Sequence, residues 1–568
     1  MSEDIYEKLS QERKSLQASG DLPQWVSTAS WQTLKDKYIY KATGLKDTFK
    51  RMSHTFAKHM GEDALEWEDK FFTMMWNGWL SNASPLFNAG TDRGLTVSCS
   101  GQYVPDNMYG ITDADTEMSV LTQRGFGTSQ YLGHIRCRGS RITGGGVAEG
   151  IMPIVESIVA RMKYVSQGSA RRGACGIYLP VDHGDFEELY EMLLNTPDSL
   201  NVGWIFSQEF IDRLESGDLE ALDRYQKVLE VRVKRGKGYI CKITTINNQN
   251  PQMYKDLDLN VLGSNLCMEI CLMSDAEHSF TCVLSSLNLA KYNEWKGTDT
   301  IFNAIVYLDC VVEEFLQQAS DMLGLERAVR FTRKSRALGL GVLGYHSYLQ
   351  QEMLPFESFE AMQFNNIFFK HMKSEAVRAS QWIAQRNGEP EWCKGYGVAH
   401  THLLAVAPTF TSSTIMGGVS LGIEPFVANV FNQPSASGEL FRVNPTFLAI
   451  AKREGKWVEG VKDKVIQDIN EHFGSVQQFD WLTDLEKDVL KTAYEINQEV
   501  VIRKASQRQR YICQGQSVNV FFPADAPEEY ISHVHTIGLL DPYFKGFYYY
   551  RGSAGVIGSN GECKACEA

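Results

Sequence analysis

Apolar positions through the first 80 residues recur at helical spacing, over Trp31–Lys50 and again over Ala64–Leu80. Met74, Met75, Trp76 and Trp79 give the second stretch a heavy apolar face, which predicts a packing domain of helices. At Ser84–Thr91 the pattern gives way to turn chemistry, followed by a strand-like run, Leu95–Val104, that carries Cys99. Residues 113–128 and 150–166 read as amphipathic helices. From about 178 to 450, apolar runs (Gly238–Thr244, Phe280–Leu289, Leu338–Leu343, His402–Val406) alternate with helical stretches (Ile301–Leu323, Phe359–Arg386). That alternation predicts an α/β architecture around a largely buried parallel sheet. Helix returns over 460–510. A strand at Ser517–Phe522, a helix at 527–540, a tyrosine-rich strand at 547–550 and a tail of small and polar residues close the chain.

Composition adds exclusions. With 568 residues, 43% of them hydrophobic, the chain can bury one large domain with appendages. A net charge of −13 disfavours nucleic acid as a partner. The N-terminal MSEDIYEKLSQERK has no apolar core of a secretory signal, and no run of 18 apolar residues marks a membrane span. Twelve scattered cysteines in such a chain favour thiols with chemistry, or simple burial, over a disulfide scaffold. The expected setting is a reducing cytoplasm.

The candidate chemistry centres on Ser264–Ile270, where Asn265, Cys267 and Glu269 alternate with Leu266, Met268 and Ile270. In an extended segment the amide, thiol and carboxylate would converge on one side. The bland alternative is a half-buried strand with a wet polar face. Cys99 and Cys282 sit within strand-like runs, where a cysteine is often just a small apolar side chain. Cys563-Lys564-Ala565-Cys566 lies two residues from the end. Such a pair is half a zinc site or, better, an accessible redox dithiol. Two loops, Arg136–Gly146 and Ser166–Ala174, join glycine flexibility to arginine forks, which suits phosphate and base recognition but is also common at wet surfaces. Val406–Ile415 ends an apolar run in a proline and a series of hydroxyls opening a helix, an arrangement that offers donors to an anion. Simple helix capping is the alternative there.

Taken in order, SPLFNAGT, SCSGQYV, IRCRGSRITGG, SQGSARRGACGIYL, NLCMEI, CVLSSLNL, RALGLGVLGYH, APTFTSST, GIEPF, QGQSVN, FYYYR and the terminal CxxC resemble the large, catalytic subunit of ribonucleotide reductases, most closely class I. The resemblance runs from about Ser84 onward. It implies a ten-stranded α/β barrel with a central finger loop, a helical domain over 1–80, the barrel over 81–550 and a redox-active tail over 551–568. It further implies that Cys267 carries a thiyl radical that takes the 3′-hydrogen of a ribonucleotide. Glu269 matches the base on the 3′-hydroxyl, Asn265 the positioning amide, and Cys99 and Cys282 the pair that is oxidised as the 2′-hydroxyl leaves. Ser84 and Ser98 match substrate contacts, and Thr409, Phe410, Thr411 and Ser412 the diphosphate loop. Asp106 and Arg136 match a dNTP effector site at a dimer interface, with Gln167, Arg171 and Arg172 in the loop relaying that signal. Cys563 and Cys566 match the pair re-reduced by thioredoxin or glutaredoxin.

Chemistry agrees with the set: replacing C–OH by C–H needs two electrons, a hydrogen-atom acceptor and proton shuttles. Only 83 residues precede Ser84, and they lack the family's ATP-cone motif, so a compact, phage-like form is expected. No cofactor is expected in this chain. The radical would come from a separate metal-containing small subunit and enter through stacked Tyr548 and Tyr549, with Tyr549 and Tyr550 as the other register. Alternation along a strand would put Tyr548 and Tyr550 on one face and Tyr549 on the other. The adenosylcobalamin-dependent class and a non-catalytic nucleotide-binding regulator are the alternatives. The first needs no tyrosine wire, and the intact cysteine and carboxylate set argues against the second.

Overall fold

A computed structural model describes residues 3–167, 171–196, 200–435 and 438–553. Its centre is a ring of extended chain in two halves. In the first half, Cys99–Tyr103, Thr128–Tyr131, Cys175–Pro180, Asn201–Phe206 and Tyr239–Lys242 run parallel in that order. In the second, Phe280–Asn288 lies parallel to Leu338–Leu343. Parallel bridges then lead from Leu340 to Leu404 and from Val406 to Gln516. Val520–Phe522 pairs in parallel with Tyr550–Gly552. The halves meet antiparallel at two seams, Cys99–Tyr103 against Phe280–Asn288 and Gly546–Phe547 against Tyr239–Lys242. Counting 402–406, 514–522 and 546–552 as one run each, the circuit closes with five runs in each half, the ten of the expected barrel.

The expectation of a parallel sheet therefore holds within each half and fails at the seams. His402–Val406 contributes bridges rather than a full strand, because the adjacent carbonyls of His402 and Leu403 both accept from Leu338–Leu340 and the Leu403 and Leu404 N–H groups both donate to Cys513 Sγ. The tyrosine-rich strand is also broken: Gly546–Phe547 and Tyr550–Gly552 are strands, and Tyr548 and Tyr549 lie between them. Crossover helices cover the ring. Thr300–Ala319 is buried on nearly all sides, as its almost uninterrupted apolar sequence requires. The stretch over 460–510 resolves into three helices, Lys462–Glu471, Asp484–Val489 and Gln498–Gln509. The first packs on a small separate apolar cluster with Phe447 and Phe479.

The N-terminal domain is helical as expected, with Leu45–Ala57 and Ala64–Trp76 packed on each other and on Thr300–Ala319. It also reaches inward. Ser30 donates to the Thr414 carbonyl at 2.9 Å, and a five-residue π-helix, Leu34–Tyr38, brings the Tyr38 hydroxyl within 2.8 Å of Ser84 Oγ. Among the described residues, no helix is long and apolar enough to cross a membrane.

Candidate active site

Ser264–Ile270 is held by both halves of the ring. From the first half, Ser129 Oγ donates to the Ser264 carbonyl and Tyr178 Oη to the Asn265 carbonyl, each at 2.7 Å. From the second, the Gly515 N–H donates to the Glu269 carbonyl at 2.7 Å and Ser517 Oγ to the Cys267 carbonyl at 2.6 Å. These anchors overrule the extended conformation expected here. Leu266–Met268 turns instead, with the Met268 N–H donating to the Asn265 carbonyl at 3.2 Å and Met268 at φ 66°. A left-handed methionine costs on the order of 1–2 kcal/mol, which only a strongly determined surrounding sustains. The convergence of amide, thiol and carboxylate is thus made by a turn and not by strand alternation.

Asn265 and Glu269 are buried, whereas Cys267 keeps partial exposure. Asn265 Nδ2 donates to Cys99 Sγ at 3.3 Å, and Ser517 Oγ also lies 3.4 Å from Glu269 Oε2. Cys99 opens its strand and stands directly opposite Cys282 across the antiparallel seam. Such partners have Cα atoms about 4.5–5.5 Å apart, inside the span of about 4.4–6.8 Å that a disulfide accepts. Both are free thiols here. Burial pushes the Cys99 thiol well above its ordinary value, and the neighbouring Glu269 charge adds to that. Burial also raises Cys282, against the pull of Gln514, whose Nε2 donates to Cys282 Sγ at 3.4 Å. Both sulfurs stay protonated at neutral pH.

The hydroxyl-rich loop opens a short helix, Phe410–Ile415. Thr409 precedes it at φ 52°, and its Oγ1 accepts from the Gly422 N–H at 2.7 Å instead of capping the helix. Phe410, Thr411 and Ser412 are half-buried at its first turn. Ser84 meets Tyr38, and Ser98 is buried with its hydroxyl unpaired among the described residues.

At the opposite seam, Tyr548 and Tyr549 pack with ring centroids 4.2 Å apart, both buried. Tyr550 turns away and stacks on Phe522 at 5.1 Å. The break in the strand explains the departure from simple alternation. The Tyr549 N–H donates to the Asn519 side chain rather than to a neighbouring strand. Near the first seam's outer end, Arg136 Nε donates to Asp106 at 2.7 Å, and Asn107 caps the helix Met108–Gln123. Gln167 lies on Ser166–Gln167, paired with Arg171–Arg172 in a small antiparallel hairpin. Cys563 and Cys566 lie outside the described residues.

The family model for the ribonucleotide reductase barrel domain matches residues 97–222, 217–395 and 390–550, and the model for the all-alpha domain of the same enzymes matches 24–94. The chain belongs to the ribonucleotide reductase large-subunit family. The reductase is 30% identical to the ribonucleoside-diphosphate reductase large subunit of Invertebrate iridescent virus 3, over 89% of this chain and 90% of that one. It is 25% identical to the ribonucleoside-diphosphate reductase large chain of Cryptosporidium parvum, over 92% of this chain and 74% of that one. The solved class Id ribonucleotide reductase alpha subunit of Actinobacillus ureae superposes with a TM-score of 0.85 at 34% identity, covering 94% of this chain and 99% of that one. The reductase converts ribonucleotides to 2′-deoxyribonucleotides.

Several site residues escaped the sequence reading. QGQSVN was noted as a marker without roles, yet it supplies Gln514 to Cys282 and Ser517 to the finger. Its Asn519 bonds Glu424 of GIEPF at 2.7 Å, tying two markers together. Tyr178 stands in the marker SQGSARRGACGIYL and Tyr239 in the apolar run Gly238–Thr244, but neither position shows its role, since each acts on residues far away in the chain.

Proposed function

We propose that this chain is the class I type of large subunit, reducing ribonucleoside diphosphates by thiyl-radical chemistry with a radical delivered by a separate small subunit. The observation that carries this reading is the opposition of the two seams: Cys99 faces Cys282 at one, the rings of Tyr548 and Tyr549 pack against each other, tilted by 51°, at the other, and the finger with Cys267 touches both halves. The cobalamin-dependent alternative gives the tyrosine pair nothing to do.

In this mechanism the Cys267 sulfur radical takes the substrate's 3′-hydrogen, becoming a thiol and leaving a carbon radical. Glu269, buried and oriented by Ser517, accepts the 3′-hydroxyl proton, while Asn265 holds the substrate hydroxyls. The 2′-hydroxyl departs as water. Cys99 and Cys282 supply the two electrons and two hydrogens and close as a disulfide. Glu269 then gives its proton back to O3′, and Cys267 returns its hydrogen to C3′ and regains the radical. Ser84, Ser98 and Thr409–Ser412 would hold the substrate, with a dNTP at Asp106 and Arg136 selecting the base through Gln167, Arg171 and Arg172 across a homodimer. Cys563 and Cys566 would pass electrons from thioredoxin or glutaredoxin, in the cytoplasm. We divide the chain into helical domain, barrel and tail at 80 and 550.

The test is Cys267→Ser. The serine O–H is too strong a bond for the relay, so deoxynucleotide formation should vanish while substrate and effector still bind with unchanged affinity. Multiple turnover by that variant, freed of native enzyme, would remove Cys267 from the centre.

A further inference from the structure

We infer that Tyr239 is a positioning residue of the radical relay, holding the phenol oxygen of Tyr549 while that residue is oxidised. The inference rests on the relay reading above and deepens it with a third phenol. The seam register pairs Gly546 with Cys241 and Phe547 with Ile240, so one further step along each strand sets Tyr548 beside Tyr239. Their ring centroids are 4.8 Å apart, and Tyr239 stands edge-on to Tyr549 at 5.3 Å and 79°. All three rings are buried.

The hydroxyls give this cluster a direction. Tyr239 Oη donates to Tyr549 Oη at 3.1 Å, and Tyr549 Oη donates to Asn201 Oδ1 at 3.3 Å. A neutral tyrosine both donates and accepts. Once the radical arriving from the small subunit has taken one electron and the phenolic proton from Tyr549, that residue has no hydrogen left to give, and its bond to Asn201 lapses. The bond from Tyr239 survives, because a phenoxyl oxygen still accepts. Tyr239 loses neither electron nor proton; it keeps the oxygen in place through both states. Arg551 lies 4.5 Å above the Tyr549 ring, against its face and not its oxygen.

The experiment uses the full chain with its small subunit, substrate and effector. With 3-aminotyrosine in place of Tyr549, the radical is trapped there and read by electron–nuclear double resonance in D2O. An exchangeable deuteron coupled to the phenoxyl oxygen is expected, and Tyr239→Phe should abolish it. In the otherwise native chain, Tyr239→Phe should slow turnover about fivefold to tenfold, the loss of one hydrogen bond, with KM unchanged. The spectrum with Tyr239 intact decides the contact even if the variant folds poorly. Absence of the deuteron, its persistence in Tyr239→Phe, or undiminished turnover of that variant overturns the inference. Full activity of Tyr549→Phe would instead sink the relay reading itself. An inactive Tyr549→Phe beside a normal Tyr239→Phe would sink only the role of Tyr239.

Discussion

Gln514 shows how much one side chain can carry in this site. Its Nε2 donates to Cys282 Sγ and to the Leu338 carbonyl at 2.8 Å, and its Oε1 accepts from the Cys271 N–H at 3.1 Å. One amide therefore joins Cys282, a barrel strand and the root of the finger. Gln514→Leu keeps the approximate volume but strands two buried backbone groups, each costing about 1–3 kcal/mol. The expected outcome is a loss of about 2–4 kcal/mol in urea unfolding, together with a fall in kcat that exceeds any change in KM. Unaltered unfolding would mean that the amide is not holding those groups. At this scale the sequence was legible wherever chemistry and spacing coincide, as in Asn265, Cys267 and Glu269. It was silent on Gln514, because a glutamine in a polar run looks the same whether it faces water or a sulfur.

Among elements, the finger and the segment beneath it depend on each other. The 514–518 run approaches the turn so closely that a Cβ on Gly515 would lie 3.0 Å from the Met268 carbonyl and 3.1 Å from both Cys271 Sγ and the Glu269 carbonyl. Gly515→Ala must push the finger away from its anchors by a few tenths of an ångström or more. Stability should fall by about 1–3 kcal/mol, as for other overpacked sites. Activity should fall further, on the order of a hundredfold, because catalytic groups tolerate little displacement. Parallel measurement of turnover and of the urea midpoint checks this, and proportionate losses in both would count against a special role for the finger. Strands such as Leu338–Leu343 were readable from their apolar runs. The turn at Leu266–Met268 was not, since it contains neither glycine nor proline and is imposed by partners such as Gly515 and Tyr178. The break between Tyr548 and Tyr549 was hidden for the same reason, an asparagine thirty positions away taking the place of a strand neighbour.

The whole molecule buries an unusual set of neutral titratable groups. Burial holds His346, His402 and His535 down to about 3, and it raises the thiols of Cys99, Cys175, Cys241, Cys271, Cys282 and Cys310. For the histidines, the unfolded chain binds protons below about pH 6.5 while the folded one does not, so stability falls as pH drops from there towards 3. For the thiols the sign reverses: below about pH 8.5 both states are protonated, and above it only the unfolded chain ionises. Stability should therefore decline below about pH 6.5, whereas above about pH 8.5 the loss from the thiols is opposed by buried Lys242, Lys504 and Lys545, which burial holds below their ordinary value so that the unfolded chain binds the extra protons. The acid limb is bounded by about 1.4 kcal/mol per histidine per pH unit. Urea midpoints at pH 5.5 and 7.5 check the acid limb, and a midpoint no lower at pH 5.5 than at 7.5 would contradict the burial of neutral histidines.

The pairing of Cys99 with Cys282 has a mechanical side as well. The two cysteines belong to different halves of the ring, which are otherwise joined at that seam only by hydrogen bonds and packing. On the proposed chemistry, each product leaves behind a covalent clasp between the halves, and each reduction undoes it. The barrel would then be stiffest just after making product and most compliant just before accepting substrate. Redox state and rigidity would become one variable, written in a single stitch.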